Sequence, residues 1–241
     1  MKSQPPVANW DGQLETLDDL SEAVHYNQWI YEMMKPYLGQ RILEVGCGIG
    51  NMTRLLALDR KVLGVDIHSG YVKKAEKNLE RNKNASFRVM NLEKKLVSLG
   101  RFKPDTIVCI NVLEHIQGDV DFLKECLRLL PAGGRLVIFV PALPYLFGSM
   151  DAHYGHFRRY FKGELVQKME ARGFTVLKSR YLNLLGVFGW WLNGRFFKKT
   201  ILPRAQILIY DQIIRWVAPV EKWLPRPIGL SLFCVGRKTN R

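Results

Sequence analysis

A glycine-rich turn near residue 46 constrains the fold of this chain more than any other part of the sequence. An apolar strand is predicted over residues 41–45, and glycines follow it at positions 46, 48 and 50. Glycine allows a backbone to turn tightly and to approach a ligand closely. Asp66 ends the next apolar strand, 20 residues after Gly46, where a carboxylate can accept hydrogen bonds from ribose hydroxyls. The sequence therefore predicts a nucleotide site beyond the carboxyl ends of parallel strands.

Apolar strands and helical segments alternate along the chain as far as residue 173. The run at 105–110 is almost continuously apolar, as expected for a central parallel strand that is covered on both faces. This alternation predicts a parallel sheet with right-handed crossovers. Two later strands, at 175–181 and 230–235, are candidates for an antiparallel pair. The remaining strands are predicted at 41–45, 62–65, 86–90 and 136–140, and the helices at 18–36, 52–58, 71–81, 119–130 and 161–172.

Two residues beside the glycine turn distinguish between nucleotide ligands. The fingerprint of nicotinamide dinucleotide sites requires a glycine at position 51, where this chain has Asn51. Glu44 lies two residues before the turn. Its negative charge is unfavourable beside a pyrophosphate and favourable beside an ammonium or a sulfonium. The residues thus favour a cationic nucleoside ligand over NAD.

Five motifs together resemble those of the class I S-adenosylmethionine-dependent methyltransferases. They are LEVGCGIGN at 43–51, Asp66, Asn91-Leu92, DTIVCINVLEHI at 105–116 and LLPAGGRLVIFVP at 129–141. The resemblance covers residues 20–183 in register, and residues 230–236 match the terminal antiparallel strand of the family. It implies an α/β fold with a Rossmann-like, mostly parallel seven-stranded sheet, helices on both faces and a helical insertion before the last strand. It also implies methyl transfer from the cofactor S-adenosyl-L-methionine.

The same resemblance assigns contacts to the cofactor. Gly46 and Gly48 are expected to hold its methionine part, and Asp66 its ribose diol. Residues 110–112 are expected to line the methionyl side. Ile67 is expected to lie against the adenine, with Asn91 and Leu92 at the adenine edge. The full set of expected cofactor-binding residues is Glu44, Gly46, Cys47, Gly48, Asp66, Ile67, Asn91, Leu92 and Asn111.

The segment from Asn111 to His115 raises the question of a metal. Some O-methyltransferases that the chain resembles hold a divalent ion here with Glu-x-x-Glu-His, but the first acid is Asn111 in this sequence. Loss of a hard anionic ligand weakens a magnesium site, so no metal is predicted. His115 is instead expected to serve as a base or a hydrogen-bond donor beside the acceptor. The alternative is that His115 only orders its loop.

Residues 151–160 are expected to form a lid over the acceptor, because catalytic groups concentrate on loops at this edge of the sheet. His153 and His156 join His115 as candidate catalytic groups. The alternative is that the arginines satisfy helix-end carbonyls and acidic loops. On the N-terminal helix, Tyr26 or Trp29 is expected to close the pocket, and the alternative is that the helix only packs in the core. The expected acceptor-binding residues are Trp29, Tyr154, Arg158, Arg159 and Tyr160.

Basic and aromatic residues are concentrated near the end of the chain. The net charge is +14, and residues 174–241 contain twelve Lys or Arg against two acids, which favours an anionic partner. Residues 207–220 are predicted to form an amphipathic helix, with Asp211 on its polar strip. Trp, Phe and cations together suit the interface of an anionic bilayer. The alternative is a helical cap over the active site, with the apolar stripe as ordinary core.

These features predict a division into 1–40 as an N-terminal helical cap, 41–183 and 229–237 as the core, and 184–228 as a basic aromatic insertion. The preferred function is O-methylation of a small lipophilic or lipid-linked metabolite. An RNA or protein methyltransferase and a catalytically silent cofactor-binding scaffold are the alternatives. Nucleic acid is the less favoured partner, because no RNA- or DNA-binding motif is present. Four isolated cysteines and the lack of a signal-like segment favour a cytoplasmic protein, attached peripherally to a membrane if the insertion meets one.

Overall fold

The computed structural model describes residues 10–91, 96–221 and 227–239. Five parallel strands follow one another in the chain, and two later strands complete a single seven-stranded sheet. The strands are β1 (Arg41–Val45), β2 (Lys61–Asp66), β3 (Ala85–Val89), β4 (Thr106–Ile110), β5 (Arg135–Pro141), β6 (Phe174–Leu182) and β7 (Ser231–Lys238).

The strand order is β3-β2-β1-β4-β5-β7-β6. The order reverses direction at β1 and β4, which lie side by side with Leu43 opposite Ile107. Strand β7 runs antiparallel to both β5 and β6, so the predicted antiparallel pair is present. The predicted Rossmann-like, mostly parallel sheet is confirmed. A ligand cleft is expected where the order reverses, beyond the carboxyl ends of β1 and β4.

Alternate residues of the central strands pack into two separate cores. Leu43 and Ile107 belong to one cluster, whereas Ile42 and Val108 belong to the other. Successive side chains of a strand point to opposite faces, so apolar layers cover both faces of the sheet. The helices are α1 (Trp10–Glu22), α2 (Val24–Met34), α3 (Asn51–Leu56), α4 (Ser69–Asn78), α5 (Asp119–Leu129), α6 (Ser149–His153), α7 (Lys162–Glu170), α8 (Leu184–Trp190) and α9 (Arg204–Glu221).

The N-terminal helix differs from the prediction. A single helix was expected over 18–36, but the chain forms α1 and α2 with a break at Ala23, which is not helical (φ −77°, ψ 68°). The break turns the chain so that α2 can bury Trp29, Ile30 and Met34 against the sheet. Tertiary packing of this apolar face therefore overrides the continuous helical periodicity of the sequence.

The described part of the segment between β6 and β7 is mainly helical. It contains α8, a π-helical turn over Trp191–Phe196 and α9. Asn193 of the π-helical turn donates to Gln206 at 3.1 Å, and Tyr210 donates at 2.6 Å to Asn183, which precedes α8, so hydrogen bonds on both sides of α8 join this segment to the first half of α9. Within the described residues no helix is long and apolar enough to cross a membrane.

Candidate active site

A cavity of about 760 Å³ lies beyond the carboxyl ends of β1, β2 and β4. The glycine turn after β1 forms one end, with Gly46 and Asp66 in its lining. His156 and Arg159 lie in its lining beyond β5. Residues of α1, α2, α8 and α9 close it from above, including Leu17, Tyr26, Trp190, Ile207 and Tyr210. The sheet edge and the helical insertion thus enclose one continuous space.

The glycine turn leaves no room for a side chain at its first position. Gly46 has φ +74°, a conformation that is unfavourable for residues with a Cβ. A Cβ added there would lie 2.1 Å from Cγ2 of Val112. The Gly46 and Cys47 amides both donate to the carbonyl of Val65, at 2.8 and 3.1 Å. The turn therefore holds the backbone close against the cavity, as close approach to a ligand requires.

The Asp66 carboxylate is fixed at the end of β2. One oxygen accepts from the Gly48 amide and the other from the His68 amide, both at 2.9 Å. Burial raises the pKa of Asp66, and these amides partly oppose the shift. A carboxylate oxygen can accept more than one hydrogen bond, so both oxygens retain acceptor capacity toward the cavity. Ile67 is half-exposed beside it and lines the cavity with Asn91, while Leu92 lies outside the described residues.

Glu44 places a buried carboxyl group beneath the glycine turn. Its side chain accepts a hydrogen bond from Thr53, and it lines the cavity with Cys47 and Asn111. Burial, with a smaller contribution from the nearby Asp66, raises the pKa of Glu44 to about 8, against the lowering effect of Thr53. A cationic ligand would favour its charged form. Asn111 has φ +50°, a region that Asn tolerates better than most residues.

His156 lies between two carboxyl groups at the other end of the cavity. Its Nδ1 is 2.8 Å from Asp151 Oδ1, and its Nε2 is 3.9 Å from Glu114 Oε1. Neither Glu114 oxygen has a hydrogen-bond partner among the described residues. Burial raises the pKa of Glu114 to about 7, against the lowering effect of His156. This arrangement can orient an imidazole and accept a proton.

His115 contacts His156 but has a different environment. The two ring centroids are 4.7 Å apart. Burial, together with the neighbouring His156, lowers the pKa of His115 to about 3. His115 is therefore neutral at physiological pH and a weak base. His115 and His156 both line the cavity, and the assignment of either one as a general base stays a prediction.

Three of these groups are close enough to share an ion. Glu114, His115 and His156 each offer one ligand atom, and these atoms lie within 4.8 Å of one another. One carboxylate and two imidazoles suit zinc or another transition ion better than magnesium. The prediction that no metal is bound stays a prediction.

Asp151 connects the acid–base cluster to the helical insertion. Besides His156, it accepts from Arg159 Nε at 2.8 Å and from Trp190 Nε1 at 3.2 Å. The Arg159 guanidinium also lies 4.6 Å from the Trp190 ring centroid. Burial alone would raise the pKa of Asp151, but His156 and the Arg159 charge hold it below its usual value. From sequence, Asp151 was only the first residue of the expected lid, and Trp190 was counted among the aromatic residues of a membrane-facing insertion. The structure instead places Trp190 in the cavity lining, through a contact with Asp151 that joins segments 39 residues apart.

The predicted lid contributes only part of its side chains to the cavity. Tyr154, His156 and Arg159 line it. Arg158 instead pairs with Asp119 at 3.0 Å. The Tyr160 hydroxyl donates to the same carboxylate at 3.0 Å, and Tyr160 is fully buried. The chain is extended here, so neighbouring side chains face opposite ways, and Arg159 alone of these three turns toward the cavity.

His153 and Trp29 also lie outside the cavity lining. The His153 ring packs edge-on against Tyr154, with centroids 5.7 Å apart. Trp29 is buried in the core and borders a second cavity, of about 530 Å³, between α2, α9 and β6. On α2 it is Tyr26, three residues earlier, that faces the catalytic cavity. From sequence, Tyr26 and Trp29 were both candidates to close the pocket, and only the packing of α2 shows which of them lines the cavity.

Asp211 occupies a different position from the one predicted. It was expected on the polar strip of the last helix, but it is buried and accepts from the backbone amide of Tyr26 at 2.8 Å. Its other oxygen is 2.7 Å from His25 Nδ1. A buried carboxylate needs such partners, and they come from a helix 185 residues away in sequence. Asp211 therefore fastens α9 over the cavity.

Comparison with known proteins agrees with this geometry. Residues 43–138 match a family model described as a methyltransferase domain. The ubiquinone biosynthesis O-methyltransferase of Xanthomonas oryzae pv. oryzae (strain PXO99A) is 33% identical over 103 residues, 42% of each chain. The mitochondrial ubiquinone biosynthesis O-methyltransferase of Homo sapiens is 36% identical over 109 residues, 43% of this chain and 29% of its own. The chain thus spans less than half the length of these curated relatives.

Solved structures show the same fold at low identity. A chain in the complex of the Haloferax volcanii Trm112 methyltransferase activator with a methyltransferase has a TM-score of 0.65 at 16% identity, covering 96% of this chain and 95% of that one. Phosphoethanolamine N-methyltransferase 2 of Haemonchus contortus, in complex with S-adenosyl-L-methionine, has a TM-score of 0.61 at 16% identity, covering 89% and 53%. With the family model, these matches confirm the resemblance predicted from the motifs.

Proposed function

The chain contains a methyltransferase domain of the class I, S-adenosylmethionine-dependent fold, and we propose that it methylates a hydroxyl group of a small lipophilic or lipid-linked molecule. The observation that carries this proposal is one cavity with two chemically distinct ends. Asp66 and Glu44 lie at the nucleotide end. His156 and Glu114 lie at the other, which is suited to proton removal.

The nucleotide end fits S-adenosyl-L-methionine. A backbone without a Cβ at Gly46 leaves room for close approach, and the buried Glu44 carboxyl favours a positive charge. When bound, this cofactor supplies an electrophilic methyl group on a sulfonium. Asp66 would hold the ribose hydroxyls, with Ile67 and Asn91 at the adenine. Gly46, Gly48, Cys47, Glu44 and Asn111 would hold the methionine part.

At the acceptor end, His156 would remove the proton of the hydroxyl. Its Nδ1–H donates to Asp151, which leaves the lone pair of Nε2 available toward the cavity; this tautomer is assigned from the hydrogen-bond network. Asp151 also stabilises the imidazolium once the proton is taken. Glu114, with both oxygens unpartnered among the described residues, would receive a hydrogen bond from the acceptor. Enclosure by α8 and α9 would exclude water and hold the reactants in line.

The shape of the acceptor end supports a small lipophilic molecule. Trp190, Ile207 and Leu202 contribute apolar wall, while Tyr154 and Arg159 offer polar contacts. The relatives named ubiquinone biosynthesis O-methyltransferase support O-methylation of a small molecule. Helices α8 and α9 cover part of the cavity, and this supports a small acceptor over a folded protein or an RNA duplex.

The proposal is tested with isotopically labelled S-adenosylmethionine and four acceptor classes: lipophilic phenols, lipophilic amines, RNA and protein. We expect label in the phenol fraction, identified as a methyl ether by mass spectrometry. Label in the amine fraction would contradict a hydroxyl acceptor. Label only in RNA or protein would contradict a small-molecule acceptor.

Cofactor affinity is expected to rise with pH. Glu44 has a pKa of about 8 without ligand, and a bound cation lowers it, so binding releases a proton below pH 8. Linkage then gives an increase in affinity of up to about tenfold per pH unit between pH 6 and 7.5. Isothermal titration across this range measures the slope. In Glu44→Gln, which has no carboxyl to titrate, the slope should flatten; an equal slope in both proteins would contradict the role of Glu44.

A side chain at Gly189 should obstruct the acceptor. Gly189 lines the cavity on α8, and an added Cβ would meet no atom within 4 Å. We expect Gly189→Trp to lower kcat/KM for a lipophilic acceptor by about 10- to 100-fold, while cofactor affinity is unchanged. Gly163→Trp is the matched control, because Gly163 is also helical with open space around it but lies outside the cavity. Equal activity of the two variants would place the acceptor elsewhere.

A further inference from the structure

Helix α9 has a buried stripe on one side and an exposed apolar stripe on the opposite side. The buried stripe is spaced at intervals of four, three, four and three residues, and consists of Ile207, Asp211, Ile214, Ala218 and Glu221. A second stripe is spaced at intervals of four, three and four. It is exposed, and consists of Ile209, Ile213, Trp216 and Val220. The second stripe begins at Ile209, two positions after Ile207, and an offset of two positions corresponds to about 200° around a helix. The second stripe therefore points away from the protein.

Helix α8 and the π-helical turn repeat this arrangement. Gly186, Gly189, Trp190 and Asn193 line the cavity, whereas Leu185, Phe188, Trp191 and Leu192 are exposed. Phe188 is 70% exposed, as compared with 73% for Trp216 on α9. We define the outer surface as the exposed apolar residues of this segment: Leu185, Phe188, Trp191, Leu192, Phe196, Phe197, Ile209, Ile213, Trp216 and Val220.

The outer surface is unusual in both size and location. It holds ten of the eighteen large apolar residues that are exposed in the described part of the chain. Single exposed apolar residues are ordinary, but a grouped set marks an interaction site. The core contacts of α9 are made by Ile214 and Ala218 of the buried stripe, so the exposed stripe is free to contact a partner.

The charged residues of this segment that are exposed to solvent are all cations. Between residues 184 and 221 the acids are Asp211 and Glu221, and both are buried. Asp211 is paired with His25, and Glu221 accepts from the Leu184 amide at 3.0 Å. The cations of the same segment are Arg195, Lys198, Lys199, Arg204 and Arg215; Arg204 is paired with Glu22 and Asp19.

We propose that the outer surface docks on an anionic lipid bilayer. Trp and Phe side chains among aliphatic residues, with cations and no exposed acid on the described segment, match the composition of interfacial helices. A nucleic acid requires a track of cations with few aliphatic side chains, which this surface lacks. A lipid bilayer accommodates both its charge and its apolar residues.

Docking would place the acceptor end of the cavity under the membrane surface. The same helices line the cavity on one side and form the outer surface on the other, so one helical layer separates the two. A lipophilic acceptor could then enter from the bilayer without crossing water. This consequence rests on the proposed function, whereas the docking itself does not.

Vesicle co-sedimentation of the full chain tests the docking. We expect strong binding to vesicles that contain anionic phosphatidylserine, and binding that falls but persists at high salt. Electrostatic attraction is screened over about 10 Å at 0.1 M salt, whereas apolar insertion is not. Trp216→Glu and Phe188→Glu should each lower the partition coefficient by about tenfold or more. Leu58→Glu is the matched control, because Leu58 is 65% exposed but lies after α3, outside the outer surface.

Charge reversal separates the two contributions. Lys198→Glu with Lys199→Glu should weaken binding to anionic vesicles by about tenfold or more and leave cofactor affinity unchanged. Lys73→Glu with Lys77→Glu, on α4, is the matched control. Equal binding by Trp216→Glu and Leu58→Glu, or no vesicle binding at low salt, would overturn the proposal. Tight binding of short RNA with no vesicle binding would assign the surface to nucleic acid. Because sedimentation needs no turnover, these outcomes are independent of whether the methyl transfer proposal holds.

Discussion

Replacement of Asp66 by alanine is expected to weaken S-adenosylmethionine binding by about 10- to 150-fold, or ~1.5–3 kcal/mol, the scale for a hydrogen bond to a charged group. Asp66 is the carboxylate at the nucleotide end that the backbone fixes from two sides, through Gly48 and His68. Its remaining acceptor capacity faces the cavity, where ribose hydroxyls would lie. Isothermal titration measures the change directly.

Two further variants separate ribose binding from local disorder. Asp66→Asn keeps the size of the side chain and one acceptor oxygen, so its loss of affinity should be smaller than that of Asp66→Ala. Asp121→Ala removes an acid in the first turn of α5 and should leave affinity unchanged. If Asp66→Ala binds S-adenosylmethionine as well as the original chain does, or if the original chain binds NAD instead, the cofactor assignment is wrong.

Replacement of His156 by alanine is expected to lower kcat by about 10²- to 10⁴-fold, the range for loss of a general base, with little change in cofactor affinity. His156 combines a hydrogen bond to Asp151 at 2.8 Å with a free Nε2 near Glu114. His115→Ala should have the smaller effect, because the low pKa of His115 makes it a weak base. Turnover assays with the acceptor that the labelling experiment identifies, combined with titration of the cofactor, separate chemistry from binding.

The same segment supplies a control. His153 lies three residues earlier, outside the cavity lining, so His153→Ala should keep most activity. Equal activity of His156→Ala and the original chain would indicate an acceptor that needs no base. Loss of activity with a chelator, restored by a divalent ion, would instead assign Glu114, His115 and His156 to a metal.

The nucleotide end was readable from sequence because its determinants are local. Gly46 and Asp66 each follow directly from the end of a strand, and parallel strands bring their carboxyl ends to one edge. The alternation of apolar runs predicted five parallel strands in their order along the chain. Two later apolar runs and the motif resemblance gave the remaining two strands. The structure adds distances and pKa directions to these residues but does not move them.

The acceptor end was only partly readable. Residues 151–160 were predicted to lie beside the acceptor, and of three neighbouring side chains Arg159 lines the cavity while Arg158 and Tyr160 contact Asp119. Which of these three neighbouring side chains turns toward the cavity depends on how residues 158–160 lie beside the end of β5, where Tyr160 pairs with Ala142. Amino-acid composition does not determine this placement. Trp29 illustrates the same limit, since one helical turn separates it from the cavity-lining Tyr26.

The sequence by itself determined the strand–helix order, the glycine turn and the basic, aromatic character of residues 184–228, because each depends on neighbours along the chain. Only the tertiary structure decided which apolar stripe of α9 is core and which is exposed, since both have helical spacing. It did so through contacts distant in sequence, above all the burial of Asp211 against α2. A helix with two apolar faces can pack against its own protein through either one. Once neighbouring helices bury one face, the opposite face stays exposed and can contact a separate partner.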